Sequence, residues 1–289
     1  MKKSAFFYIV IASVLWGASG LFSYYLRQFG FQPVQMTAMR GVVAAILMIS
    51  FVLITNPKLF KLPLKQIPFI LGSGLGFFGA ATAYFASMEA SSVSTAVILM
   101  YTAPIFVLIY SVLFLGEKLN IVKSVSIFLM IVGCALVSGI VGGMKFSFWG
   151  VVYGLISGLS YSAYNIFAKI LTMHRVHAYT VTVYNFIIVA VIGLAVSDPV
   201  GIIEIAAEKP IEIIPFIIGL GIFTSFLPYM LYTLGLRDIP AGTATTLGII
   251  EPLSATIFSV AFLGETLTIP LIIGMILIFG AVIALARQK

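Results

Sequence analysis

Charge is what this sequence has least of. Only 9% of its 289 residues are Asp, Glu, Lys or Arg, where a water-soluble domain carries about 25%. With 61% apolar residues and a mean hydropathy of +1.17, the chain cannot cover a globule in water. It reads as an integral membrane protein. The single cysteine, Cys134, lies in an apolar run and excludes a disulfide within the chain. The two histidines, His174 and His177, fall in one loop and are weak evidence for a metal. No H-E-x-x-H, phosphate-binding glycine loop or cysteine cluster occurs, so metal hydrolysis and ATP-driven pumping have no support. No cofactor or bound metal is expected.

What is there is a series of long apolar runs. A helix needs about 20 apolar residues to cross the hydrocarbon core. Ten segments qualify: 4–26, 33–55, 66–88, 92–115, 121–141, 148–172, 178–197, 213–235, 240–263 and 268–286. The first is too long for a signal-peptide core and is read as a retained span. Connections are short except 198–212, where Asp198, Glu204, Glu208 and Glu212 alternate with isoleucines; a short interfacial helix suits that pattern.

Lysines and arginines orient the chain. With the N-terminus in the cytoplasm, twelve basic residues fall inside, among them Lys58, Lys61, Lys65, Lys118 and Arg175. Only Arg27, Lys145 and Lys209 fall outside. The net charge of +7 is therefore a topology signal rather than a nucleic-acid footprint. Both termini are expected in the cytoplasm of a cell whose plasma (inner) membrane the chain crosses many times.

The chain also repeats itself. Phe114-Leu-Gly-Glu117 recurs as Phe262-Leu-Gly-Glu265, and residues 93–117 and 241–265 share eleven of twenty-five positions at an offset of 148. At an offset of 145, Trp16-Gly-Ala-Ser-Gly-Leu-Phe faces Tyr161-Ser-Ala-Tyr-Asn-Ile-Phe, and Thr37-Ala-Met-Arg40 faces Thr182-Val-Tyr-Asn185. The expected units are 1–143 and 144–289. Five spans per unit is an odd number, so the second unit enters the membrane inverted. Inverted-topology repeats are a transporter architecture, with a site near the midplane between the halves.

Two five-helix halves, each with a proline in its fourth helix and a Gly-Glu at that helix's end, resemble the EamA-type branch of the drug/metabolite transporter superfamily. Trp16-Gly17 in the first span and Arg40 in the second also match that pattern. The resemblance covers roughly 4–286. It implies an all-α secondary carrier that exports small metabolites, often amino acids or related compounds, by alternating access. The second half departs at the Trp16 and Arg40 positions, which hold Tyr161 and Asn185, so any site is asymmetric.

Glu251 is the sharpest candidate residue. It lies halfway along 240–263, beside Pro252, and the first half has Ala103 in its place. An ionisable group at that depth faces a cavity or a partner. Desolvation disfavours a carboxyl group's charged form, which suits a proton-coupling site or a ligand for a cationic amine. A protonated glutamic acid bonded to a neighbouring helix is the structural alternative. Pro252 removes a backbone hydrogen bond and can free carbonyls toward a cavity. Trp16, Tyr84, Tyr101, Tyr161 and Tyr232, with Tyr164 and Tyr229, lie inside spans rather than at their ends. They could line a path or simply pack. Asn165 adds an uncharged donor and acceptor. Arg40 can snorkel outward or pair with a substrate carboxylate. Glu117 and Glu265 end helices and read as punctuation or gate contacts. Gly150, Gly154 and Gly158, like Gly72, Gly76 and Ala80, permit close helix contact. Pro104, Pro228 and Pro252 are candidate hinges.

Gly17-Ala-Ser-Gly20 resembles the G-x-S-G of rhomboid-type proteases, but a serine nucleophile needs a base in reach, and both histidines lie in a distant loop. An enzyme is not expected. The reading that remains is a carrier of a small-molecule substrate, with the lipid bilayer as its other partner and a pathway that one chain can form as a monomer. Uptake of a small cationic or amphipathic metabolite, or a non-transporting membrane scaffold, are the alternatives.

Overall fold

The computed structural model describes residues 3–114, 120–137, 147–235, 238 and 247–287, and regular structure among them is entirely helical. The helices are α1 (Lys3–Gly17), α2 (Ser19–Gln28), α3 (Pro33–Thr55), α4 (Ile67–Ala90), α5 (Val93–Met100), α6 (Ala103–Phe114) and α7 (Ile121–Val137). There follow α8 (Phe148–Met173), α9 (Ala178–Val196), α10 (Pro199–Glu208), α11 (Pro210–Gly221), α12 (Leu227–Gly235), α13 (Ile250–Leu263) and α14 (Ile269–Ala286). Of the residues singled out above, Glu117, Lys118 and Lys145 lie outside the described set.

Local chemistry sets the ends. Pro33 opens α3 behind a capping box, in which the Gln32 amide donates to Gln35 Oε1 at 2.9 Å. The helix stops at Asn56, where Pro57 cannot continue it. Ser92, Ser147 and Thr268 cap α5, α8 and α14 by accepting the amides of Thr95, Gly150 and Leu271.

Six helical runs are long and apolar enough to cross a membrane: Ser4–Gln28, Pro33–Thr55, Leu64–Ala90, Val93–Tyr110, Ala178–Val196 and Pro210–Gly235. The apolar stretches Ile121–Val137, Ile250–Leu263 and Ile269–Leu285 are shorter. The 26-residue α8 is not among the six because its inner face is polar and small. Gly150, Gly154, Ser157, Gly158 and Ser162 are its buried positions, with Leu171 near its end. That face lies against α4 and α5. A Cβ on Gly154 would stand 2.7 Å from Leu99, and one on Gly76 of α4 would stand 2.7 Å from the Tyr164 amide nitrogen. Ser157 donates to the Ala80 carbonyl at 2.9 Å. In lipid, where apolar surfaces gain little from meeting, such close backbone contacts hold helices together.

The pairings have a regular form. α4 packs most on α8, α1 on α12, α5 on α8 and α1 on α13, while α3 meets α9, α7 meets α14 and α5 meets α13. Exchanging the two halves of the sequence, span for span, turns this set into itself. Two ends follow. One gathers the 57–66 connection and the α8–α9 loop, pinned by the Thr180 hydroxyl on the Leu59 carbonyl at 2.7 Å and the Tyr184 hydroxyl on that of Phe60 at 2.8 Å. The other gathers Arg27 on the Glu89 carbonyl, Ser87 on that of Gly150, and Gln35 on that of Asp198. Here α10, capped by Asp198, buries none of its residues, as an interfacial helix should.

Candidate functional site

The site grows from two prolines. In an α-helix, the carbonyl of residue 248 would accept the amide of residue 252, and that of residue 224 the amide of residue 228; Pro252 and Pro228 have no N–H to offer. The helices respond differently. Residues 248 and 249 form a turn before α13 begins. Residues Ile222–Phe226 widen into a π-helical turn before α12, a device that recurs at functional sites.

The Gly248 carbonyl accepts the Glu251 amide at 3.0 Å instead, and both carbonyls also receive a side-chain donor from the first half of the chain. The Tyr101 hydroxyl lies 2.7 Å from the Gly248 carbonyl oxygen and 3.0 Å from Glu251 Oε2, and donates to this pair of acceptors. Tyr101 itself follows α5, in the two-residue break before α6 and Pro104. At the offset of 148 it is equivalent to Ile249, so the breaks at 101–102 and 248–249 face each other. Arg40 performs the parallel task. It is 7% exposed. Its Nη2 donates to the Thr224 carbonyl at 3.3 Å and its Nε to Ser225 Oγ at 2.8 Å. Its guanidinium lies over the rings of Phe77 and Phe85, at 5.9 and 5.8 Å. Arg40 therefore does not snorkel.

Glu251 occupies the first turn of α13, where the helix dipole favours an anion. It keeps accessible surface although it is central to its span. Gly17 makes room for its backbone: a Cβ there would stand 2.8 Å from the Glu251 carbonyl oxygen. Tyr84, Tyr101, Tyr161 and Tyr229 lie within electrostatic range of its carboxylate, as does Arg40.

The aromatic candidates meet in a chain. Trp16 packs edge-on to Tyr229 at 5.1 Å and beside Tyr232 at 5.3 Å. Tyr229 meets Phe77 at 5.5 Å, Phe77 stacks on Tyr164 at 5.2 Å, and Tyr164 stacks on Tyr161 at 5.7 Å. The Trp16 indole nitrogen and the Tyr84 hydroxyl are buried without a hydrogen-bond partner. Such groups want an acceptor or a donor. Asn165 donates Nδ2 to the Tyr161 carbonyl of its own helix at 2.8 Å, and its side chain also pairs with that of Tyr161. Asn185, in the position equivalent to Arg40, is buried with Oδ1 unpartnered.

Phe77 and Phe186 are members that sequence reasoning missed. Phe186 meets Phe77 and Tyr229, both at 5.4 Å. A phenylalanine in an apolar span carries no signal that separates lining from lipid contact. Ser19 donates to the Trp16 carbonyl, and His174 and His177 are exposed at the far end of α8 and the start of α9, so neither histidine stands beside the rhomboid-like motif.

Comparison with known proteins agrees with this architecture. The EamA-like transporter family model matches twice, over residues 3–139 and 148–287. An uncharacterized transporter of Archaeoglobus fulgidus is 26% identical over 283 residues, covering 97% of this chain and 95% of that one. The uncharacterized inner membrane transporter YicL of Salmonella typhimurium is 24% identical, over 97% of this chain and 94% of its own. The uncharacterized transporter YxxF of Bacillus subtilis is 24% identical, over 100% and 91%. One crystal structure, 18% identical, covers 99% of both chains with a TM-score of 0.65, a likeness of fold. With the family pattern matched from residue 3 to residue 287, the chain belongs to the EamA-like transporter family.

Proposed function

We propose that this membrane transporter is a secondary active carrier that moves a small metabolite by alternating access, exporting amino acids or related compounds. Its ten spans form two five-helix units, 1–143 and 144–289, inserted in opposite directions in the plasma (inner) membrane with both termini in the cytoplasm. The double family match and the helix pairings that survive exchange of the halves support the duplication.

The observation that carries the reading is the contact of Tyr101 with Gly248 and Glu251. It joins the broken fourth spans of the two units at an acidic group, which is where discontinuous helices build transport sites. Glu251 is the proton-coupling group and the ligand for a substrate ammonium. Trp16, Tyr84, Tyr101, Tyr161 and Tyr232 line the path. Arg40 offers its guanidinium to a substrate carboxylate from a frame fixed by Thr224 and Ser225. Asn165 is a polar contact of the same wall.

Thermal unfolding of the purified protein across a panel of amino acids and amines tests this. A ligand bound only to the folded state stabilises it by RT ln(1 + [L]/Kd), about 2.7 kcal/mol at a hundredfold excess over Kd. Wild type is stabilised by an amino acid, and Glu251→Gln needs a much higher concentration of it for the same stabilisation. A panel that shifts neither protein contradicts the carrier reading and favours a scaffold; an amine without a carboxylate that binds as well as an amino acid removes Arg40 from the site.

A further inference from the structure

We propose that the groove between the 57–66 connection, α4 and α9 binds an anionic glycerophospholipid, with its acyl chain in the groove and its headgroup among Lys58, Lys61 and Lys65. The groove has a volume of about 280 Å³ and is lined by Leu62, Ile67, Ile70, Leu71, Tyr184 and Ile188. Its one polar liner, Tyr184, already donates its hydroxyl to the Phe60 carbonyl at 2.8 Å. What remains open is an apolar slot that suits a hydrocarbon chain.

Shape alone does not select a lipid. Lipid tails are as apolar as the groove, so a tail gains little by entering it. Selectivity has to come from the headgroup. Lys61 and Lys65 bracket Leu62 and precede Ile67, and Lys58 lies one turn earlier; all three are exposed. Arg175, also exposed, follows Leu171, which packs with Ile70 in the apolar cluster beside the groove. Neither 56–71 nor 168–188 contains an Asp or Glu. The rim is thus cationic without internal neutralisation, the arrangement that recognises anionic headgroups beside transmembrane helices.

The rim is also held in place. The Thr180 hydroxyl fixes Leu59, Tyr184 fixes Phe60, and the Asn56 side chain accepts the Lys58 amide at 3.2 Å. Gln66, between Lys65 and Ile67, is buried, with Oε1 unpartnered. The glycerol hydroxyls of a phosphatidylglycerol headgroup are donors of the kind that oxygen lacks. The site is separate from Glu251 and Tyr101, and the proposal does not depend on which solute is carried.

Native mass spectrometry of the purified protein, titrated in detergent with phosphatidylglycerol or phosphatidylcholine, tests the proposal. Wild type prefers phosphatidylglycerol by at least tenfold. Lys58→Gln, Lys61→Gln and Lys65→Gln together remove the preference without unfolding, since all three side chains are exposed. Leu71→Trp, which fills the groove and leaves the lysines, weakens phosphatidylglycerol binding by a similar factor. Equal binding of the two lipids by wild type overturns the proposal. So does a preference that survives the triple substitution, or one abolished equally well by glycerol phosphate as by lipid, which would make the site one for a free anion.

Discussion

The Glu265 carboxylate accepts the Ser94 hydroxyl at 2.7 Å and the Ser94 amide at 3.3 Å, across 171 residues of chain. Its other oxygen takes the Val93 amide at 2.7 Å. These are the free N–H groups of the first turn of α5, and a carboxylate there meets the positive end of the helix dipole. Gly264, at φ 70, makes the left-handed turn that ends α13 and aims Glu265 at α5. The Gly-Glu of the second half is therefore a cap supplied from a distant part of the chain, and it clamps the start of α5 to the end of α13. Glu265→Ala is expected to lower stability by about 1–2 kcal/mol, the range for lost caps. Ser94→Ala, which leaves both amide contacts, should lose about half as much. The double variant should fall short of the sum. Thermal unfolding in detergent measures all three, and strict additivity would dissolve the clamp.

Tyr101→Phe keeps the ring contact with Phe279 and removes the donor to Gly248 and Glu251. Hydrogen bonds inside membranes average about 0.6 kcal/mol, so its stability should change little while transport falls at least tenfold. In a Glu251→Gln background the same change should have a much smaller effect on transport, because the partner has already been altered. A proteoliposome flux assay on the four proteins of this cycle reads the coupling.

Arg40 and Pro228 are expected to be linked. Arg40→Met leaves the Thr224 carbonyl without its side-chain donor, and Pro228→Ala restores the backbone amide that an α-helix would use there. The loss from Arg40→Met, about 1–3 kcal/mol for a buried group left unpaired, should shrink in the Pro228→Ala background. Binding of the amino-acid substrate should not recover, since the guanidinium is still missing. Recovery of binding along with stability would mean that Arg40 only holds the π-turn.

Much of this fold is legible from residues that lipid makes expensive or helices make conspicuous. Apolar length marks most spans, Glu251 stands out against Ala103, and the Gly-Glu repeat announces the duplication. What escaped has a physical reason in each case. Arg40 stayed open between snorkelling and an inward role because spacing cannot see the π-turn that Pro228 induces 184 residues away. The bond of the Asn165 amide back one turn along α8, of a kind side chains in helices readily make, has no signature in its spacing. Phe77 joined the aromatic chain unannounced. Glu265 stayed open between punctuation and a gate contact because its partner is a helix start in the other half, a contact no local pattern contains.

Gly17 tests the close approach of α1 to α13. An alanine Cβ there meets Glu251 O, Ala255 N and Ser254 Cβ, all at 2.8 Å, whereas one at Gly280 meets nothing within 4 Å. Backbone on the other side cannot yield. Gly17→Ala should cost about 1–3 kcal/mol, as overpacking does, and slow transport; Gly280→Ala should be neutral in both. Equal effects from the two substitutions would contradict the packing described.

The central claim is that Glu251 couples solute movement to protons. Proteoliposomes loaded with a labelled amino acid, chosen by the stabilisation panel, measure it. In wild type, a proton gradient directed inward should accelerate efflux, and unlabelled amino acid outside should drive exchange. Glu251→Gln, locked in a neutral form, should retain exchange and lose all response to the pH gradient. A variant that still follows the gradient would move proton coupling to another residue and contradict the account.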